Sequence, residues 1–171
     1  MQASPTVRHL GMVIALAAAG AAFAAEPPVL KSGLWEVTRV GGGPQPQRKG
    51  LTTMCLDESV QAQMREFGMG AAKEMCSQTD RNFDGTRMTV TSTCQLGPTT
   101  MKAVSVMTFA GNTAYHMEGT ATYDPPMMNM KESKTTADAK WIGACRPGQQ
   151  PGDVTLENGQ TINMKQIMQN K

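Results

Sequence analysis

Four cysteines, Cys55, Cys76, Cys94 and Cys145, constrain this chain more than anything else in it, because any bond between two of them fixes distant points of the backbone together. Their number is even, and all four lie beyond an N-terminal stretch with the marks of an export signal. Arg8 supplies the positive start, Leu10 to Ala22 are apolar or small, and Ala22-Phe23-Ala24 fits an A-x-A cleavage site. That run is short for a bilayer span, so residues 1–24 are expected to be removed as a signal peptide, leaving no stable membrane span. No cysteine follows the cleavage point to carry a lipid, and no twin arginine precedes the run. An even cysteine count behind such a signal implies disulfides formed in an oxidising compartment. A four-cysteine zinc site would instead gather its ligands in close pairs, and consecutive cysteines here are 18 or more positions apart.

Residues 25–145 read as a single antiparallel β domain. Leu34 to Val40 alternates, with Trp35 and Val37 on one face and Glu36 and Thr38 on the other. Gly41 to Gly43, Pro44 and Pro46 break that strand, and a second is expected from Lys49 to Cys55. Asp57 then fits a helix N-cap, and Val60, Met64 and Phe67 recur at helical spacing, predicting a short helix that Gly68 and Gly70 end. From Cys76 the period returns to two, with runs over Cys76 to Phe83 and Thr86 to Cys94 around a turn at Asp84-Gly85. Gly97-Pro98, Gly111-Asn112 and Asp124-Pro125-Pro126 separate further strands over Met101 to Ala110, Thr113 to Tyr123 and Asn129 to Ile142. Turns this short favour neighbouring antiparallel strands over β-α-β crossovers. The expected fold is mainly β: an antiparallel meander of about seven strands curled into a barrel or half-barrel, with one short helix and two disulfides. Residues 146–171 read as a C-terminal surface tail with a short helical end.

If Asp84-Gly85 is the hairpin centre, its arms are nearly equal and Cys76 falls opposite Cys94. Exclusion then leaves Cys55 for Cys145, although the three pairings that four cysteines allow all remain open at this level.

Charge and motifs exclude more than they assign. The net charge of +2 at pH 7 falls to +1 without Arg8, and aromatic residues make up 5% of the chain, so neither phosphate neutralisation nor base stacking points to nucleic acid. No G-x-S-x-G element supplies a nucleophile and no glycine-rich loop leads into a helix, so no catalytic, cofactor-binding or metal site is assigned and no cofactor is expected. His116, in mid-strand, is the histidine left after the leader and the first position to test for a base, which would need an oriented partner. Methionine is abundant, and Met127, Met128 and Met130 crowd one loop where thioethers could hold Cu(I). Met64, Met88 and Met107 read as adaptable core filler. Gly33-Leu34-Trp35 resembles the lipocalin G-x-W element, and a curled sheet of this size has room for a small apolar ligand in its mouth.

Taken in order, Gly33-Leu34-Trp35-Glu36-Val37-Thr38, Cys55-Leu56 before a helix, Cys76, Cys94 and Trp141-Ile142-Gly143-Ala144-Cys145 resemble the bacterial family called Domain of Unknown Function 3617. Pro151-Gly152-Asp153 and Asn158-Gly159 are similar to it too, while Asp57-Glu58 departs from a common Thr-Pro-Glu and touches only the helix cap. The resemblance implies a small exported protein, at home in the periplasm, and brings no catalytic residue. The expected function is a non-enzymatic periplasmic domain, monomeric, that binds a small apolar ligand or an envelope protein. A Cu(I)-binding protein stands second and a hydrolytic enzyme third.

Overall fold

Alternating side chains become a single antiparallel sheet. The computed structural model describes residues 26–42 and 49–169. The expected signal with its Ala22-Phe23-Ala24 site lies outside them, as do Gly43, Pro44 and Pro46. In chain order the elements are β1 (Gly33–Gly41), β2 (Lys49–Leu56), α1 (Glu58–Met75), β3 (Cys76–Phe83), β4 (Arg87–Leu96), β5 (Thr99–Ala110), β6 (Ala114–Met127), β7 (Met130–Gly143), β8 (Asp153–Thr155), β9 (Thr161–Asn163) and α2 (Met164–Gln169). They pair in the order β3-β4-β5-β6-β7-β1-β2-β8-β9, an open sheet with β3 and β9 at its edges. The meander from β3 to β7 is the expected one, and β1 joins it by pairing with β7.

The structure departs from the sequence expectations in three places. Nine strands stand where about seven were expected, because 146–171 is more than a tail: β8 pairs with β2, β9 with β8, and α2 meets α1. The Asp124-Pro125-Pro126 corner lies inside β6 as a register shift, and the turn falls at Met128 and Asn129, both at positive φ. The helix does not stop at Gly68 and Gly70 but runs 18 residues to Met75. A glycine costs an interior helical turn only about 1 kcal/mol relative to alanine, and α1 is anchored at both ends. Asp57 caps its N-terminus, accepting from the Val60 N–H at 2.8 Å. The disulfide Cys55–Cys145 holds the strand just before it, and Cys76–Cys94 begins where it ends.

Those anchors reveal the shape of the sheet. α1 leaves β2 at Leu56 and delivers the chain to β3 at Cys76, six strand spacings away and roughly twelve residues further along the strands. On a flat sheet those points would lie about 50 Å apart. Eighteen helical residues span about 27 Å. The sheet therefore curls and shears until its two sides come within one helix length of each other. α1 packs Val60 against Trp35, Leu56 and Ala139, so the face bearing Trp35 is the inner one.

The buried cluster of Trp35, Leu56, Val60 and Ala139 lies at the end where this contact is made, and Cys94 and Thr99 are buried apart from it at the far end. Gln61 reaches from α1 to hold both backbone groups of Leu30, at 2.8 and 2.9 Å. Two indoles clasp the entering chain: Trp35 donates to the Lys31 carbonyl at 2.8 Å and Trp141 to that of Ser32 at 3.0 Å. The Lys31 ammonium lies 3.6 Å from the Trp141 ring centre. Gly33, at φ +138°, passes so close beneath that a Cβ there would collide with the Gly143 carbonyl and the Trp141 indole nitrogen. The G-L-W and W-I-G-A-C segments thus meet as one structural clasp, with Cys145 bonded to Cys55 just beyond it. Two disulfides fit an exported or extracellular protein. Among the described residues no helix is long and apolar enough to cross a membrane.

Candidate binding face

The outer face carries the carboxylates of β1 to β7, and His116 stands among them. Cross-strand register places Thr38, Asp138, His116 and Thr108 in one row over β1, β7, β6 and β5. A hollow of about 470 Å³ opens over this row, lined also by Glu36 and Lys140, which pair at 2.8 Å. His116 Nδ1 lies 2.7 Å from Asp138, and its Nε2 is 3.8 Å from Glu118. The hydrogen bond to Asp138 raises the histidine pKa above its ordinary value, with the two carboxylate charges acting the same way. The arrangement favours an imidazolium already spoken for by carboxylates. A base acting on a nucleophile needs its second nitrogen free and a hydroxyl in reach.

Met127, Met128 and Met130 sit at the β6–β7 hairpin tip, Met127 paired with Met130 and Met128 77% exposed. Met88 and Met107, expected as filler, are direct partners on the inner face and continue into Met117. Met64 projects from α1 and is 38% exposed.

Register assembles the inner face into bands running across the strands. Nearest the clasp, Trp35 stacks on Tyr115 at 6.1 Å, Tyr115 meets Phe109 at 6.3 Å, and Phe109 meets Phe83 edge-on at 6.0 Å. The Met117-Met107-Met88 band comes next. Beyond it the side chains shrink: Thr135, Gly119 and Ser105 lie in one row, and Ser133, Ala121, Ala103 and Ser92 in the next. Tyr123, Met101 and Cys94 close the far side, with the Tyr123 hydroxyl 3.0 Å from that of Ser133. Small residues between two bulkier bands make a trough, floored by β4 to β7.

α1 bridges this face without filling it. Its first turn joins the core and its far end meets β3 and β4, while residues 64–70 are exposed at every position. Met64 and Met69 lie in that bridging stretch, and the inner-face residues Met101, Ala103, Met117 and Ala121 are only half-buried. Burial alone pushes the Tyr115 phenol pKa up, which marks where the sheltered zone begins.

His116 stands out in the sequence, but its partner Asp138 and the trough do not. Gly119, Ser105, Ala121 and Ala103 look unremarkable one strand at a time. Their signal lies in aligning four strands by their turns, which places the small positions opposite one another.

A family model described as a protein of unknown function, DUF3617, matches residues 30–145. No curated protein and no solved structure matches the chain.

Proposed function

The chain belongs to the DUF3617 family, and from that premise and the geometry of the inner face we propose that it is a non-enzymatic binding domain of the periplasm, exported by its N-terminal signal, that holds a small apolar ligand between the trough and α1 as a monomer. One observation carries the reading: a curled sheet places a band of small side chains between two bulkier ones and runs over them a helix whose residues 64–70 are exposed. A folded chain gains about 25 cal/mol for each Å² of apolar surface it removes from water, so the half-buried methionine and aromatic side chains that flank the trough have stabilisation still to gain from an occupant. Pockets for small molecules are concave and mainly apolar, with a few placed polar groups, and the Tyr123 and Ser133 hydroxyls fit that role.

Native mass spectrometry of the protein purified from its own envelope without detergent tests the proposal directly. The expected result is an added mass that organic solvent extracts. Gly119→Leu is the blocking variant. The Gly119 backbone is unstrained, and a Cβ there makes only ordinary contacts at 3.9 Å or more, so the larger side chain enters the trough and not the sheet. It should abolish the added mass and leave the circular dichroism spectrum unchanged. Protein recovered empty, or a ligand retained equally by the variant, overturns the reading.

A further inference from the structure

The two faces of the sheet differ in charge as well as polarity. Across β1 to β7 every carboxylate stands on the outer face, Glu36, Asp80, Glu118, Asp124, Glu132 and Asp138 alike. The inner face carries Arg39, Arg81 and Lys131 as its charged residues on these strands, and no acid. Lys49, Arg87, Lys102, Lys134 and Lys140 share the outer face with the acids, so the asymmetry is the absence of carboxylates inside, which alternation alone does not impose. α1, which bridges the inner face, carries Arg65 and Lys73 against Glu58, Glu66 and Glu74, with Glu58 in its first turn beside the core and the other four in two adjacent opposite-charge pairs.

Two of these cations stand at the ends of the trough. Arg81 pairs with Val90 in the same row as Ser105 and Gly119, on the edge strand β3. Arg39 is on β1, beside Ala137, and its guanidinium lies with the Thr135 hydroxyl around the space that a Cβ on Gly42 would occupy. Neither arginine has a carboxylate partner among the described residues. A guanidinium without a carboxylate partner at the end of a trough flanked by apolar side chains presents fixed donors suited to a carboxylate or phosphate.

We propose that the trough takes an anionic lipid, its chain along the floor of small side chains and its head group held by Arg39 or Arg81. This rests on the trough reading above and adds the head-group class. Charge complementarity is what separates this occupant from a neutral or cationic amphiphile, which the same floor would bury equally well.

The test compares palmitate, hexadecanol and hexadecyltrimethylammonium, one chain length with three head groups. Each is titrated into delipidated full-length mature protein below the concentration at which it aggregates. Palmitate should bind about tenfold more tightly than hexadecanol, as a charge-assisted contact to arginine predicts, and the cation more weakly than either. In the Arg39→Gln, Arg81→Gln double variant palmitate should fall to the affinity of hexadecanol, with hexadecanol unchanged; the single variants report which end holds the head. Equal binding of all three, or a palmitate preference that survives the double variant, overturns the head-group inference and leaves the trough standing. If none of the three binds while Gly119→Leu also changes nothing, the trough reading itself has failed.

Discussion

Gly33 shows how much one position can carry. Its φ of +138° is a conformation that side chains rarely adopt, and the clasp leaves no space for a Cβ between Gly143 and Trp141. Gly33→Ala must therefore push Trp141 aside, and the indole loses its bond to Ser32 and its contact with Lys31 together. We expect a loss of about 3 kcal/mol, the sum of backbone strain, the steric displacement of Trp141 and its lost contacts, measured by urea unfolding. A loss below about 0.5 kcal/mol, the size of an ordinary surface change, would show that the clasp bears little of the fold. The residue could be marked from sequence as the opening of a G-L-W strand, but not as a packing requirement, because its obstacle is more than a hundred residues away in the chain. His116 is the converse case. It stands out in the sequence by rarity, and the structure commits it to Asp138 on an exposed face.

At the level of elements, α1 was half legible. Its start was written in Asp57 and in the spacing of Val60, Met64 and Phe67, and its first turn does bury Val60. Its end was not, because glycine propensity is a weak local effect and both helix ends are fixed by tertiary and covalent ties. Gly68 and Gly70 are then best understood as softening the bridging stretch. Neither has an atom within 4 Å of where a Cβ would stand, and neither has a positive φ. Gly68→Ala and Gly70→Ala should each raise stability by about 1 kcal/mol, through propensity and a less disordered unfolded chain. Hydrogen exchange across 64–70 should slow in the double variant, and release of a bound fatty acid should slow with it. Slower hydrogen exchange with unaltered release would mean that the ligand leaves by a route α1 does not control.

The whole molecule combines a wide curved sheet with little fully buried apolar volume; among the described residues the large side chains below 2% exposure are Trp35 and Val60. Antiparallel pairing, hairpin order and the Cys76–Cys94 register were legible because turns and period two are local signals. The insertion of β1 beside β7, the use of 153–163 as edge strands, and the confinement of the carboxylates to the outer face are long-range outcomes that alternation on any one strand does not encode. A fold with so small a core leans on its bridges. Closing loops of 18 and 90 residues is worth about 3 and between 4 and 5 kcal/mol in the chain-entropy model. Net stabilities of small domains are about 5–15 kcal/mol, so the two bridges together amount to a large share. Reduction should therefore unfold or loosen the protein in mild denaturant, with the melting temperature falling as both bonds open. Palmitate at a hundred times its dissociation constant should restore about 2.7 kcal/mol to whatever reduced folded state survives. A melting temperature indifferent to excess reductant would place the stability in the sheet itself, and α1 would then be held over the trough by packing at its two ends and not by its disulfides.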